Sequence, residues 1–230
     1  FNVLNRARNY ADYSKAVLNL QTPGQNVVFA CKNGDIAIRT QGDFPAKWKG
    51  QGDFIMPGTD STFMWQGMIP MDETPYQYNP ERGFVSSANQ HPADSTYLYY
   101  LGRDYPAPRG LIINRMLASM QQVTPEDMMA MQTDNYNVFA EMARPILLKN
   151  IKEDLLNDSD KKYLGILKNW NLRNDADSKG ATVFAFVWKS FFDTTFNDEY
   201  ATMQGPVKKP FESTLLESLL KDSAYKFIDN

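Results

Sequence analysis

One cysteine and one histidine stand in 230 residues, and each scarcity excludes a class of chemistry. Cys31 has no second cysteine to pair with, and neither it nor His91 belongs to a cluster with the ligand spacing of structural zinc. A Ser-His-Asp or Cys-His arrangement would have to be built on His91, which stands in a surface-like Asn-Gln-His-Pro stretch, so histidine-dependent nucleophilic catalysis is disfavoured. Positive charge is also short: 24 Lys and Arg against 27 Asp and Glu leave a net charge of −3, which disfavours nucleic acid as a partner. Apolar runs are broken by charges well before the roughly 18–20 residues that a membrane span needs. What is present, 43% hydrophobic and 13% aromatic residues, argues against disorder and for a folded core. The chain opens at Phe1 without a methionine or a basic-then-apolar leader, the pattern expected of a processed or trimmed piece of something longer.

The length suits a single domain, and the two halves differ in pattern. Leu4, Ala7, Ala11, Ser14 and Leu18 recur at helical spacing, which predicts one helix over residues 1–20, broken near Asn9 and stopped by Pro23-Gly24. The runs Val27 to Cys31 and Ile36 to Ile38 flank Asn33-Gly34, a pair that tolerates positive φ at both central turn positions, so a tight β-hairpin is expected. From Gln41 to Pro108 there are seven glycines and eight prolines, so regular elements there must be short; Phe63 to Trp65 and Phe84 to Ser86 read as brief strands. After Arg109 helical spacing dominates. Helices are expected over Leu111 to Met120, Met128 to Asp134 behind the start signal Thr124-Pro125-Glu126, Val138 to Leu156, Asp160 to Leu167, Gly180 to Phe196 and Phe211 to Lys226. The class is therefore α+β: an N-terminal helix, an antiparallel hairpin and a loop-rich layer over 1–108, then a mainly helical part over 109–230.

The order of particular motifs goes further than composition. Ala7-Arg8-Asn9-Tyr10, Pro23-Gly24-Gln25-Asn26-Val27-Val28-Phe29-Ala30, Asn33-Gly34-Asp35-Ile36-Ala37 and Gly42-Asp43-Phe44-Pro45 are followed by Trp65-Gln66-Gly67-Met68-Ile69-Pro70 and Tyr78-Asn79-Pro80-Glu81-Arg82-Gly83-Phe84-Val85. Ala88-Asn89-Gln90-His91-Pro92, Tyr99-Tyr100-Leu101-Gly102, Met131-Gln132-Thr133-Asp134 and Asp175-Ala176-Asp177-Ser178 complete the series. This succession, over roughly residues 4–200, resembles the β-subunit of the penicillin acylase (penicillin amidase) family. The resemblance implies part of an N-terminal-nucleophile (Ntn) hydrolase: an amidohydrolase whose precursor cleaves itself to expose a serine, whose hydroxyl attacks an acyl amide while its own α-amine serves as base. No histidine is needed for that chemistry. Phe1 stands first here, so the serine and its amine are expected outside these residues and 1–230 alone is expected to be inactive; Ser14, Ser61 and Ser86 have amide nitrogens and no adjacent base to replace it.

Within the resemblance, Asn26 matches the asparagine whose side-chain N–H helps to form the oxyanion hole, where a neutral donor faces developing negative charge. A plainer reading makes Asn26 the end of the Pro23-Gly24 turn. Lys47 matches a supporting arginine, although a lysine lacks the planar bidentate fork and reads equally well as a solvated loop residue. Cys31 is expected to be packed and inert, Met128, Met129 and Met131 to fill core or a pocket, and Phe184, Val187, Trp188 and Phe191 to form one buried helix face. Gln132 and Asp134 are expected to support the hairpin layer by buried hydrogen bonds. No cofactor is required; the family resemblance implies calcium in the full protein, with no ligand assignable here. It also implies a small-molecule acyl amide substrate, the remaining α- and β-subunit segments of the same precursor as partners, and a periplasmic or extracellular location. Unpaired sheet edges would favour a homodimer. The reading of a different class is a noncatalytic carbohydrate- or protein-binding module, on the aromatics Trp48, Trp65, Tyr76, Tyr78, Tyr97, Tyr99 and Tyr100.

Overall fold

Asn9 breaks the first helical run because its side chain caps the second piece: Oδ1 accepts the Asp12 N–H at 2.9 Å. A 3-10 turn, Leu4–Arg6, thus precedes helix α1, Tyr10–Val17. The computed structural model describes residues 2–103, 108–205, 207–222, 225, 227 and 228, and it divides into two units, residues 1–122 and 123–230. In the first unit α1 buries Tyr13, Ala16 and Val17, one helical turn apart, and Tyr13 and Val17 pack with Ala37. Tyr13 fixes the helix on the sheet by donating its hydroxyl to the Val27 carbonyl at 2.7 Å.

Strands β1, Gln25–Ala30, and β2, Ile36–Gln41, form the expected antiparallel hairpin, with Ala30 opposite Ile36 and Asn26 opposite Thr40. The turn differs from expectation. Only Gly34 takes positive φ (95°), while Asn33 does not. Gly34 N–H donates to the Cys31 carbonyl (3.0 Å) and Cys31 N–H to the Asp35 carbonyl (2.9 Å), which makes a three-residue loop closed by a left-handed glycine. Asn33 is held by its own side chain, which accepts the Asp35 N–H at 3.1 Å. A third strand, β3, Tyr76–Tyr78, pairs with the far edge of β2. It is three residues long, too short to show a period of two.

The two brief strands expected elsewhere do not form. Ser61–Phe63 is one 3-10 turn capped by Asp60, and the Phe84 carbonyl goes to the Arg82 guanidinium (3.0 Å) instead of a neighbouring strand. Buried side chains do for these loops what a ladder does in a sheet. Gln51 Nε2 donates to the Phe63 carbonyl (2.8 Å), and Arg39 reaches the Met71 carbonyl (3.0 Å) and Thr74 Oγ1 (3.1 Å). Burial foremost pushes the hydroxyls of Tyr13 and Tyr97 up to about 12, against the partial relief that Arg39 gives both. Between about pH 10 and 12 the folded chain therefore holds protons that the unfolded chain releases, so stability falls as pH rises. Chemical denaturation at pH 9 and pH 11 is expected to show a lower midpoint at 11, and Tyr13→Phe, which has no proton to lose, a smaller drop between the two.

Helix α2, Pro108–Ser119, belongs to the first unit. The second unit holds α3, Pro125–Gln132, started by a reciprocal Thr124–Asp127 capping box, then α4, Val138–Asn150, α5, Asp158–Asn169, α6, Lys179–Ala201, and α7, Glu212–Lys221. α4 stops six residues before the expected Leu156, where Ile151 turns extended and the Asn150 side chain takes the Ile146 carbonyl at 2.8 Å. α7 ends at Lys221 with Asp222 extended, and the expected end at Lys226 lies outside the described residues. Phe184 and Trp188 are buried, with Val187 and Phe191 packed beside them, in a core that also takes Ala140, Ala143, Leu167 and Leu215. The α3 methionines are not core: Met128 and Met129 are 41% and 58% exposed, because α3 buries no residue at all. Gln132 is exposed, and Asp134 accepts the Tyr136 N–H (3.0 Å) and pairs with Arg173 (2.9 Å), all within its own unit and none of it in the hairpin layer.

Two core tryptophans differ in one bond. Trp170 Nε1 donates to the Arg173 carbonyl at 2.9 Å, whereas the buried Trp188 Nε1 has no partner among the described residues. Trp170→Phe leaves that carbonyl short of a donor and is expected to cost about 1–3 kcal/mol more than Trp188→Phe, which relieves an unpaired N–H. Urea unfolding of the two variants measures the difference.

Candidate active site

Asn26 is the second residue of β1, not the end of a turn, and the hairpin register sets Thr40 of the central strand directly across from it. Thr40 Oγ1 donates to Asn26 Oδ1 at 2.6 Å, and Asn26 Nδ2 donates to Ser87 Oγ at 2.7 Å. That second bond joins the hairpin start to Ser87, sixty-one residues on and just before the Ala88-Asn89-Gln90-His91-Pro92 stretch. Gln90 folds the stretch on itself, its Nε2 donating to the Ser86 carbonyl (3.0 Å) and its Oε1 accepting the Ala88 N–H (2.5 Å).

These groups open on a cavity of about 180 Å³, closed by Ile38, Pro75 and Tyr76 on the sheet side and by Arg82, His91, Pro92 and Asn114 opposite. Asn114 reaches it from α2: its Oδ1 accepts from Ser86 Oγ (2.9 Å) and from Arg82 Nη1 (3.1 Å). Arg82 Nη2 donates to Gln77 Oε1 at 2.9 Å. The lining carries one guanidinium, several hydroxyls and carboxamides, and no carboxylate. Such a site offers donors to negative charge developing on a bound oxygen, with no carboxylate in the lining to oppose it.

His91, expected only as a surface residue, is exposed and also lines this cavity, with Nδ1 2.6 Å from the Ala93 carbonyl. Ser86 spends its hydroxyl on Asn114, and neither Ser14 nor Ser61 lines the cavity. Lys47 does not line it either. Its ammonium lies 5.6 Å from the centre of the Tyr100 ring, and Tyr100 in turn donates to Asp53 at 2.6 Å. Cys31 is half-buried, its thiol 3.6 Å from the Arg8 carbonyl. Thr40, Ser87, Arg82 and Asn114 are the site residues that sequence reading missed. Arg82 alone stood in a motif of the resemblance, whereas counting outward from a two-residue Asn33-Gly34 turn would have set Gln41 opposite Asn26, and only the three-residue loop brings Thr40 there.

Among the described residues no three His, Cys, Asp or Glu side chains gather to hold a metal ion. No helix among them is long and apolar enough to cross a membrane. A larger cavity of about 540 Å³ lies in the second unit between α5 and α6, but Leu164, Leu167, Val183 and Val187 give it an apolar wall with no cluster of donors. Of the aromatics that suggested a binding module, Tyr97 and Tyr99 donate their hydroxyls to the backbone and carboxylate of Glu73, while Trp65, Tyr76 and Tyr78 are exposed.

The penicillin amidase family model matches residues 1–230. An acyl-homoserine lactone acylase (QuiP) of Pseudomonas putida is 24% identical over 90% of this chain and 27% of its own length. A second, from Pseudomonas fluorescens, is 29% identical over 60% of this chain and 17% of its own. Penicillin G acylase of Escherichia coli is 24% identical over 74% of this chain and 21% of its length. The chain thus spans about a quarter or less of these curated relatives. Among solved structures, the thermostable penicillin G acylase of Alcaligenes faecalis superposes with a TM-score of 0.70 over 97% of this chain and 45% of that one, at 18% identity, which speaks for the fold. A family model matched from end to end, on a fold shared with a solved acylase, makes the chain a member of the penicillin amidase family.

Proposed function

We propose that this chain is a β-subunit segment of a larger acylase that hydrolyses acyl amides through an N-terminal serine, and that Asn26 is one of its oxyanion donors. The observation that carries the reading is the setting of Asn26: a neutral carboxamide, anchored at both ends, at a donor-rich cavity without a carboxylate. In this reading the serine and its α-amine come from a segment outside residues 1–230. As the serine oxygen attacks the amide carbon, the carbonyl oxygen gains negative charge, and an Asn26 N–H already aimed at that position strengthens its hydrogen bond without reorganising. Collapse of the tetrahedral species expels the amine, and water then releases the acyl group from the serine ester. Self-cleavage of a longer precursor and export to the periplasm or beyond go with the same reading, through the family resemblance. Lys47, over the Tyr100 ring and outside the cavity lining, takes a supporting part.

The test is turnover. The complete processed protein is expected to release the acyl group from phenylacetyl amides or N-acyl homoserine lactones, while purified residues 1–230 release none above a matched Asn26→Ala control. Processed protein that cleaves no acyl amide, or a 230-residue chain whose turnover depends on Asn26, would overturn the proposal.

A further inference from the structure

We propose that Thr40 and Ser87 are positioning residues that fix the Asn26 carboxamide in its donating orientation; the inference rests on the oxyanion reading and names what makes it work. Asn26 sits on β1, an edge strand, and its side chain is exposed, so packing does not hold it. An asparagine amide turns about one terminal torsion with a broad, roughly two-fold preference. Left alone, Asn26 would present its oxygen to the cavity as often as its nitrogen, and an oxygen facing an oxyanion repels it. Two neutral hydroxyls bias that choice: a hydroxyl can donate or accept, but at 2.6 Å the Thr40 contact suits an O–H···O bond and is short for the N–H···O bond that a flipped amide would need there. Thr40 donates to Oδ1 at one end of the amide plane, and Ser87 accepts from Nδ2 at the other.

Each anchor is itself held. Thr40 is β-branched, with few χ1 rotamers, and stands in the central strand, where its backbone N–H donates to the Pro75 carbonyl at 2.8 Å. Ser87 precedes the buried Ala88, whose N–H is taken by Gln90. With Oδ1 tied to Thr40 and one N–H tied to Ser87, the second Nδ2 proton has no acceptor among the described residues and is the one available to a substrate oxygen. Because both anchors are uncharged, the amide is fixed without placing a negative group where the oxyanion forms.

The experiment is a set of substitutions in the complete processed enzyme, with active sites titrated and the unfolding midpoint recorded. Thr40→Val keeps the shape and β-branching and removes the donor; it is expected to lower kcat about tenfold with KM within about twofold, since the lost orientation matters most where charge develops. Thr40→Ser keeps the hydroxyl and is expected to stay within about threefold of wild type. On an Asn26→Ala background Thr40→Val is expected to change nothing further, because there is no amide left to aim. If Asn26→Ala itself leaves kcat intact, the oxyanion reading fails and takes this inference with it. If Asn26→Ala is severe but Thr40→Val keeps full kcat, or lowers it equally with and without Asn26, the positioning role alone is overturned. A parallel loss of unfolding midpoint in Thr40→Val that Thr40→Ser shares would likewise mark a structural effect and overturn it.

Discussion

Asn26→Ala in the processed enzyme is expected to lower kcat by about 10²–10³ while KM changes little, because the lost hydrogen bond strengthens only as the carbonyl oxygen becomes charged. A structural role predicts something else. Asn26 exchanges hydrogen bonds with Thr40 and Ser87 at the protein surface, and losing them would cost about 1–2 kcal/mol of stability and some folded enzyme, with each surviving site turning over normally. Active-site titration separates the two. Asn26→Asp sharpens the contrast, since a carboxylate still accepts from Thr40 and can accept from Ser87, so the local bonding survives while the donor is gone. The charge would also repel the oxyanion. Asp is therefore expected to be at least as damaging as Ala, and a titrated Asn26→Asp enzyme that keeps more than about a third of wild-type kcat would exclude the donor role.

What could be read without coordinates divides along the range of the interactions. The hairpin, the α+β order and the start of α3 follow from contacts within a few residues, such as the Asn33-Gly34 loop and the Thr124–Asp127 box, and these are written in adjacent letters. Some failures are local, such as the three-residue loop and the early end of α4, and others are long-range. Tyr76–Tyr78 becomes a strand only because β2 offers it an edge, and Met128 and Met129 face solvent although their composition suits a core. The site follows the same rule. Motif order pointed to Asn26, but that its amide meets Ser87 depends on how the loop layer folds back, which no local spacing records. Lys47 follows a motif of the resemblance, and its ammonium stands over the Tyr100 ring, outside the lining of the Asn26 cavity.

Gly180→Ala is expected to destabilise the second unit by about 2–3 kcal/mol, opposite in sign to what helix propensity suggests. Gly180 lies in the first turn of α6, and alanine there should gain up to about 1 kcal/mol in an open helix. Its added Cβ would stand 2.2 Å from Trp170 Cγ and 2.4 Å from Trp170 Cβ, far inside van der Waals contact. Trp170 has nowhere to go: it is 7% exposed, its indole N–H is tied to the Arg173 carbonyl (2.9 Å), and its own carbonyl takes Arg144 Nη1 (2.6 Å). The helix must therefore shift off the core, and overpacking outweighs propensity. Gly165 in α5 supplies the control, since a Cβ built there meets nothing within 4 Å and Gly165→Ala is expected to be neutral to stabilising by up to about 1 kcal/mol. Denaturant unfolding followed by tryptophan fluorescence reads both, and a Gly180→Ala chain as stable as wild type would mean that α6 does not seat on Trp170 in this way. In the complete enzyme the same substitution should leave kcat per titrated site unchanged, because every residue lining the Asn26 cavity belongs to the first unit; fewer folded molecules, each working normally, is the opposite signature to that of Asn26→Ala.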